Sequence, residues 1–145
     1  MAMPVLVSKP IVGVDVAKNE LVIYQAELDL LEAIPNTKAA IKQWLKALPE
    51  TVAIAIEATN IYHLEFADLA FEAGCTIYMV GGYELSHYRK GVKVRAKTDA
   101  LDAKLLARYL KNEAEDLHPW TPPTPLYRQL LSLFRRRAAL VQARV

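Results

Sequence analysis

The 145-residue chain holds 18 Lys and Arg against 16 Asp and Glu, a formal net charge of +2, with 53% hydrophobic and 23% charged residues. This is the composition of a globular domain with a real core and excludes a mostly disordered chain. No apolar run nears the ~20 residues of a membrane span, and a lone cysteine, Cys75, leaves no internal disulfide.

Ile11–Val16 (IVGVDV) reads as an apolar strand interrupted by Asp15, and Leu21–Leu28 as a second strand across a hairpin turn. Leu30–Ile34 is a third short strand stopped by Pro35-Asn36. Thr37 then caps a helix whose Ile41, Trp44, Leu45 and Leu48 recur at helical spacing. Thr51–Ile56 is a near-continuous apolar strand ending on Glu57, as expected of a strand covered on both faces. Thr59 or Asn60 caps the next helix, which runs to Gly74, and Thr76–Val80 is the fifth strand. A basic segment, Glu84 to Lys97, leads to a helix capped by Thr98 or Asp99 and carrying Leu101, Leu105, Leu106 and Leu110.

Beyond it, prolines at 119, 122, 123 and 125 mark an extended linker, with Trp120 expected to pack back onto the domain. Tyr127, Leu131, Phe134, Ala138, Val141 and Val145 then form a heptad seam beside Arg135, Arg136 and Arg137. The expected division is a domain over 1–112, a linker over 113–125 and the start of a helical or coiled-coil segment over 126–145. The pattern stops without a terminator, as in a piece of a longer protein. The element order implies an α/β fold: a mixed five-stranded sheet with strands one and four as parallel central neighbours and helices on its faces. Met1–Lys9 lacks a charged start before its apolar stretch, so no secretory signal is expected, and a cytoplasmic setting without membrane contact is.

Charge is distributed in blocks. Residues 1–85 hold 5 bases and 11 acids, whereas 86–111 hold 8 bases and 2 acids, and 126–145 hold 5 arginines and no acid. Two basic blocks on a nearly neutral chain fit either a focused contact with a polyanion or a pair of solvated helix faces. Arg89, Lys90, Lys93, Arg95 and Lys97, with Tyr83, His87 and Tyr88 interleaved, suit phosphate contact and base stacking next to Asp99. Arg135, Arg136 and Arg137 are the second set of candidate nucleic-acid contacts.

A carboxylate inside an apolar strand is costly unless it is paired, protonated or bound to a cation. Asp15 and Glu57 can approach at the C-terminal end of the sheet, where open α/β sheets place ligands. Asp99 and Asp102, spaced i, i+3, share a helix face. Each acid alone reads as well as a strand end or a first-turn residue. Together the four make a hard oxygen set suited to Mg2+ or Mn2+ and to phosphodiester chemistry. His63, His87 and His118 lie too far apart for a zinc spacing, and His63 reads as a helix-surface residue.

The runs IVGVDVAKNEL, IEATNIYHL and RAKTDALDAKLLARYL resemble the N-terminal domain of IS110-family transposases, the DEDD group related to pilin-gene invertases. The resemblance covers nearly the whole chain, from about Ile11 into the Arg-rich helix. It implies a RuvC-like, ribonuclease H-like fold and assigns Asp15, Glu57, Asp99 and Asp102 to the family's four metal-binding acids. It further implies DNA as substrate, a structured guide RNA, and a serine nucleophile from a C-terminal domain absent here; the heptad seam itself points to a homo-oligomer through the C-terminal helix or to pairing within a longer hairpin. One departure is Val80-Gly81-Gly82-Tyr83, where many relatives carry Asn-Pro after the strand. Three rival readings are a self-sufficient RuvC-like nuclease, a non-catalytic nucleic-acid-binding or dimerisation module, and a phosphate-binding ATPase lobe suggested by GVDVAK. The last lacks the second lobe such folds need.

Overall fold

The computed structural model describes residues 9–57, 61–91 and 99–143. Five strands, β1 (Ile11–Val16), β2 (Glu20–Gln25), β3 (Leu30–Pro35), β4 (Ala53–Glu57) and β5 (Thr76–Val80), form one sheet in the order β3-β2-β1-β4-β5. The first three pair antiparallel, and β1, β4 and β5 pair parallel, as the hairpin followed by helical crossovers requires. Helices α1 (Lys38–Ala47), α2 (Leu64–Glu72), α3 (Gly82–Gly91), α4 (Asp99–Glu113) and α5 (Pro125–Ala143), with a 3-10 turn at Ala114–Asp116 between the last two, complete the described elements.

Strand alternation sorts the two faces. Val12 and Val14, Leu21 and Ile23, and Ile54 and Ile56 point to one side, where Ile41 and Trp44 of α1 and Phe66, Ala67 and Ala70 of α2 cover them. Ala53 and Ala55 of β4, with Tyr78 and Val80 of β5, point to the other, against Leu85 of α3 and Leu105, Leu106 and Leu110 of α4. The Ala-Ile alternation of TVAIAI thus has a steric meaning: bulky groups meet α1 and α2, while small ones let α4 approach.

Gly13 takes this furthest. A Cβ there would overlap the Ala103 carbonyl oxygen and lie 2.7 Å from the Ala107 amide nitrogen. The backbone of α4 therefore rests directly on β1, a contact only glycine permits. Lys104 adds a cation over the ring of Tyr24, 5.5 Å from its centroid, on the neighbouring β2.

Several boundaries differ from the sequence expectation. β2 ends at Gln25 instead of Leu28, because residues 26–29 turn, with Asp29 at φ 46 and its carboxylate accepting from the Tyr24 hydroxyl at 2.7 Å. Leu28 is 67% exposed at that turn. α2 begins at Leu64 with His63 in the cap position and no side-chain cap, later than the expected start at Thr59 or Asn60, of which Asn60 and Thr59 lie outside the described residues. On α4, Leu101 is 36% exposed and is not a core position.

The predicted cap at Thr37 is present, its hydroxyl accepting from Ala40 N at 3.2 Å. Trp44 packs on Phe66, ring centroids 6.0 Å apart, while its indole donates to Glu32 Oε1 at 2.7 Å. Trp120 anchors the linker: its amide donates to Ile77 O at 2.6 Å, covering the edge of β5, and its ring meets Phe71 edge-on at 6.1 Å. Pro125 opens α5, where a missing N–H costs nothing, and Thr124 accepts from Tyr127 N.

Arg128 reaches back from α5 to α2 in a bidentate pair with Asp68, at 2.7 and 2.5 Å. Both groups are part exposed, so Asp68→Asn should cost less than about 1 kcal/mol of global stability. Local anchoring is a different matter. Amide exchange in the first turns of α5 should quicken in that variant while the sheet stays protected, and equal protection in both proteins would contradict the anchor.

Tyr88 of α3 and Tyr109 of α4 meet edge-on at 5.1 Å. Burial, then the charges of Glu113, Glu84 and Asp116 and the neighbouring Tyr88, hold the Tyr109 phenol above its ordinary 10.0. A raised folded value means the fold favours the protonated form, so this contribution is complete below about pH 10 and disappears as pH climbs through the folded value. Urea unfolding at alkaline pH should show a shallower stability loss in Tyr109→Phe than in the parent chain.

Candidate metal and nucleic-acid site

Asp15 follows Val14 on β1 and is half-buried; by alternation it shares the α4-facing side with Gly13. Glu57 ends β4 and is half-buried, sharing parity with Ala53 and Ala55 and therefore the same face. Asp102, one residue from the Ala103 carbonyl that lies over Gly13, is only 2% exposed. Asp99 is the first residue of α4, and its side chain lies outside the described residues. Three separated stretches thus bring acids to one side of the sheet, at the ends of the two central parallel strands. The close approach of α4 over Gly13 is what brings the third stretch there.

The ladder between β1 and β4 runs from Ile11↔Ala53 to Val14↔Ile56. Asp15 and Glu57 stand one residue beyond its last pair, each held instead by its outer neighbour, Asp15↔Val22 and Glu57↔Val80. Among the described residues, no three His, Cys, Asp or Glu side chains stand close enough together to hold a metal ion. What is described is therefore a shared face of acids, with the fourth side chain outside the description. The donor chemistry fits a divalent cation: carboxylate oxygens are the hard ligands that Mg2+ and Mn2+ take.

One side chain joins the turn after Asp15 to Tyr62, ahead of α2. Asn36 donates from Nδ2 to Ala17 O at 2.9 Å and to Tyr62 O at 3.0 Å, and its backbone amide donates to Asn19 O at 3.0 Å. In the sequence, Pro35-Asn36 reads only as the end of a strand, since Asn before a capped helix is ordinary turn chemistry. His63 is a correction: it is 8% exposed and buried at the start of α2, not on a helix surface.

Of the basic candidates, Arg135, Arg136 and Arg137 are exposed on α5. Arg89 and Lys90 fall on α3 with their side chains outside the description, and Lys93, Arg95 and Lys97 lie outside the described residues. Lys104, Arg108 and Lys111, exposed at i, i+4, i+7 on α4, were not singled out by the blocks of charge yet share one helix face. Tyr83, 74% exposed, meets His87 edge-on with ring centroids 4.4 Å apart. Tyr88 is used otherwise, packed on Tyr109 and accepting from Asn112 Nδ2 at 2.6 Å, so it is no platform for a base.

A family model for DEDD-type IS110 transposases matches residues 12–145. Among curated proteins, the pilin gene-inverting protein of Moraxella lacunata is 30% identical over 138 residues, and that of Moraxella bovis 28%. Each alignment covers 90% of this chain but 42% of the relative, so the chain spans about two-fifths of the length of these proteins. Among solved structures, Thermus thermophilus RuvC in complex with a Holliday junction substrate superposes with a TM-score of 0.55 at 14% identity, over 77% of this chain and 99% of that one. A second Thermus thermophilus RuvC structure gives 0.51 at 14% identity over 75% and 98%. At that identity the likeness is one of fold, and it agrees with the mixed five-stranded sheet and its flanking helices. Among the described residues no helix is long and apolar enough to cross a membrane.

Proposed function

Because the chain belongs to the IS110 family of DEDD-type transposases, we propose that it forms the metal-binding part of a composite active site for DNA strand cleavage and transfer. The observation that supports this most is the gathering of Asp15, Glu57 and Asp102 on one side of a RuvC-like sheet, with Asp99 heading the same helix as Asp102. Asp15, Glu57, Asp99 and Asp102 are the proposed ligands of Mg2+ or Mn2+. A bound divalent cation would supply polarisation of the scissile phosphate and neutralisation of charge on the leaving oxygen. The chain's own part is to fix the carboxylates on rigid strands and a helix. Arg89, Lys90, Lys93, Arg95 and Lys97, together with Arg135, Arg136 and Arg137, are the cations proposed to hold the phosphate backbone.

The reading extends to partners. DNA is the substrate, a structured guide RNA directs it, and a serine from a further domain of the longer protein serves as nucleophile. α5 joins copies of the protein: Leu126, Leu130, Leu133, Phe134 and Leu140 are 45–67% exposed along it, a stripe that lies partly beside the expected seam. The domain division at 112 and 125 belongs to this reading as well.

The test uses the longer protein with its RNA and DNA. Strand transfer should require Mg2+, fall to background in EDTA, and be absent from residues 1–145 alone. Strand exchange by that fragment unaided would contradict the composite site. A second reading rests on the coverage of 99% of the RuvC chain, since the whole of that fold is contained here. It predicts Mg2+-dependent cleavage of branched DNA by the fragment itself.

A further inference from the structure

The spacing of the two strand-borne acids poses a mechanical question. Mg2+ and Mn2+ demand oxygen ligands at about 2.0–2.2 Å in near-octahedral array, so the chain segments carrying those ligands must hold their separation to a fraction of an ångström. Ladder hydrogen bonds would normally do this, but the β1–β4 pairing ends at Val14↔Ile56, one residue short of Asp15 and Glu57. β1 turns through Ala17–Asn19 into β2, and Tyr62 stands two residues ahead of α2.

We infer that Asn36 is a positioning residue for the carboxylate site, clamping the loop after Asp15 to the loop after Glu57. Its side-chain amide has two N–H donors and spends both, one on Ala17 O at 2.9 Å and one on Tyr62 O at 3.0 Å. Its backbone amide adds a third tie, to Asn19 O at 3.0 Å. The acceptors lie two residues after Asp15 and five after Glu57 in the sequence. Asn36 is itself anchored between β3 and the capped start of α1, a fixed support outside the two loops it joins. Bridging two carbonyls takes two donors on one short planar group. An aspartate of the same shape has none when ionised and would present charge to both oxygens; a serine has one. The effect on the metal rests on the cation reading above, whereas the clamp itself does not.

The test separates the two. Spin labels attached through Lys18→Cys and Ile61→Cys report the distance between the loops; both positions are exposed, and the native Cys75 is 5% exposed and shielded from labelling. In the parent chain the distance distribution should be narrow. It should broaden in Asn36→Asp and, to a lesser degree, in Asn36→Ser, which folds even if the aspartate variant does not. Mn2+ titration of the same proteins should show about tenfold weaker binding in the variants, the usual scale for loss of a supporting contact behind a metal ligand. Ile77→Val, a core lesion in β5 at the far edge of the sheet from β3, should change neither readout. A distribution that stays narrow in both Asn36 variants overturns the clamp. Broadening with unchanged Mn2+ affinity overturns its role in positioning the site. A parent chain that binds no Mn2+, yet broadens in the variants, overturns the cation reading and leaves the clamp standing.

Discussion

Gly13→Ala should be strongly damaging to the fold. The new Cβ would meet backbone, the Ala103 carbonyl and the Ala107 amide of α4, and backbone cannot swing aside as a flexible side chain does. Overpacking of this kind costs about 3 kcal/mol, which for a domain of this size lowers the melting temperature by roughly 10 °C. The consequence reaches the site, because α4 carries both Asp99 and Asp102 and must lift off β1 to make room. Divalent-ion affinity should therefore fall even well below the melting temperature. Gly74→Ala is the comparison. Gly74 has φ +91 but its added Cβ would meet only the Thr51 methyl at 3.3 Å, so the strain is conformational, about 1 kcal/mol, and cation binding should be untouched. Thermal unfolding followed by circular dichroism, paired with Mn2+ titration, checks both. A Gly13→Ala protein melting beside its parent would contradict the contact that sets α4 on the sheet.

Asp15→Asn should do the reverse, sparing the fold and removing the chemistry. Asp15 is half-buried at the end of a strand that pairs on both sides, and asparagine keeps its shape. What is lost is a negative oxygen on the face shared with Glu57 and Asp102. Removing this proposed ligand should weaken Mn2+ binding by at least the 10–100-fold that loss of a group supporting a metal ligand costs, and strand transfer by the longer protein should fall by about 100-fold or more. Secondary structure and melting temperature without metal should stay close to the parent. Unchanged Mn2+ affinity in Asp15→Asn would remove that carboxylate from the site.

Much of the architecture could be read before the structure. Apolar runs bounded by Gly, Pro and Asn marked all five strands, and the order of hairpin then crossovers implied β1 and β4 as parallel centre strands, as observed. Boundaries were less legible where local chemistry competes with periodicity. Glu27-Leu28 continues the pattern of β2, but the αL conformation of Asp29 and its bond to Tyr24 turn the chain before them. Thr59 and Asn60 look like caps, yet α2 begins only at Leu64.

Asp15 and Glu57 read as charges at the ends of apolar strands, and strand parity puts both on one face; Asp102 comes to that side only through the close approach of α4 over Gly13. Gly13 and Asn36 could not be found that way. A glycine in a strand and an asparagine in a turn are common, and their roles depend on which distant backbone lies against them. The burial of His63 is illegible for the same reason: its position at the start of a helix alone does not say which side of α2 the domain covers.

Diffraction from crystals soaked in Mn2+, recorded at its absorption edge, tests the central claim most directly. The account predicts anomalous density at the ends of β1 and β4, within coordination distance of the Asp15, Glu57 and Asp102 carboxylates and beside the start of α4. Peaks confined to other surfaces, with those three side chains turned from one another around an empty space, would contradict it.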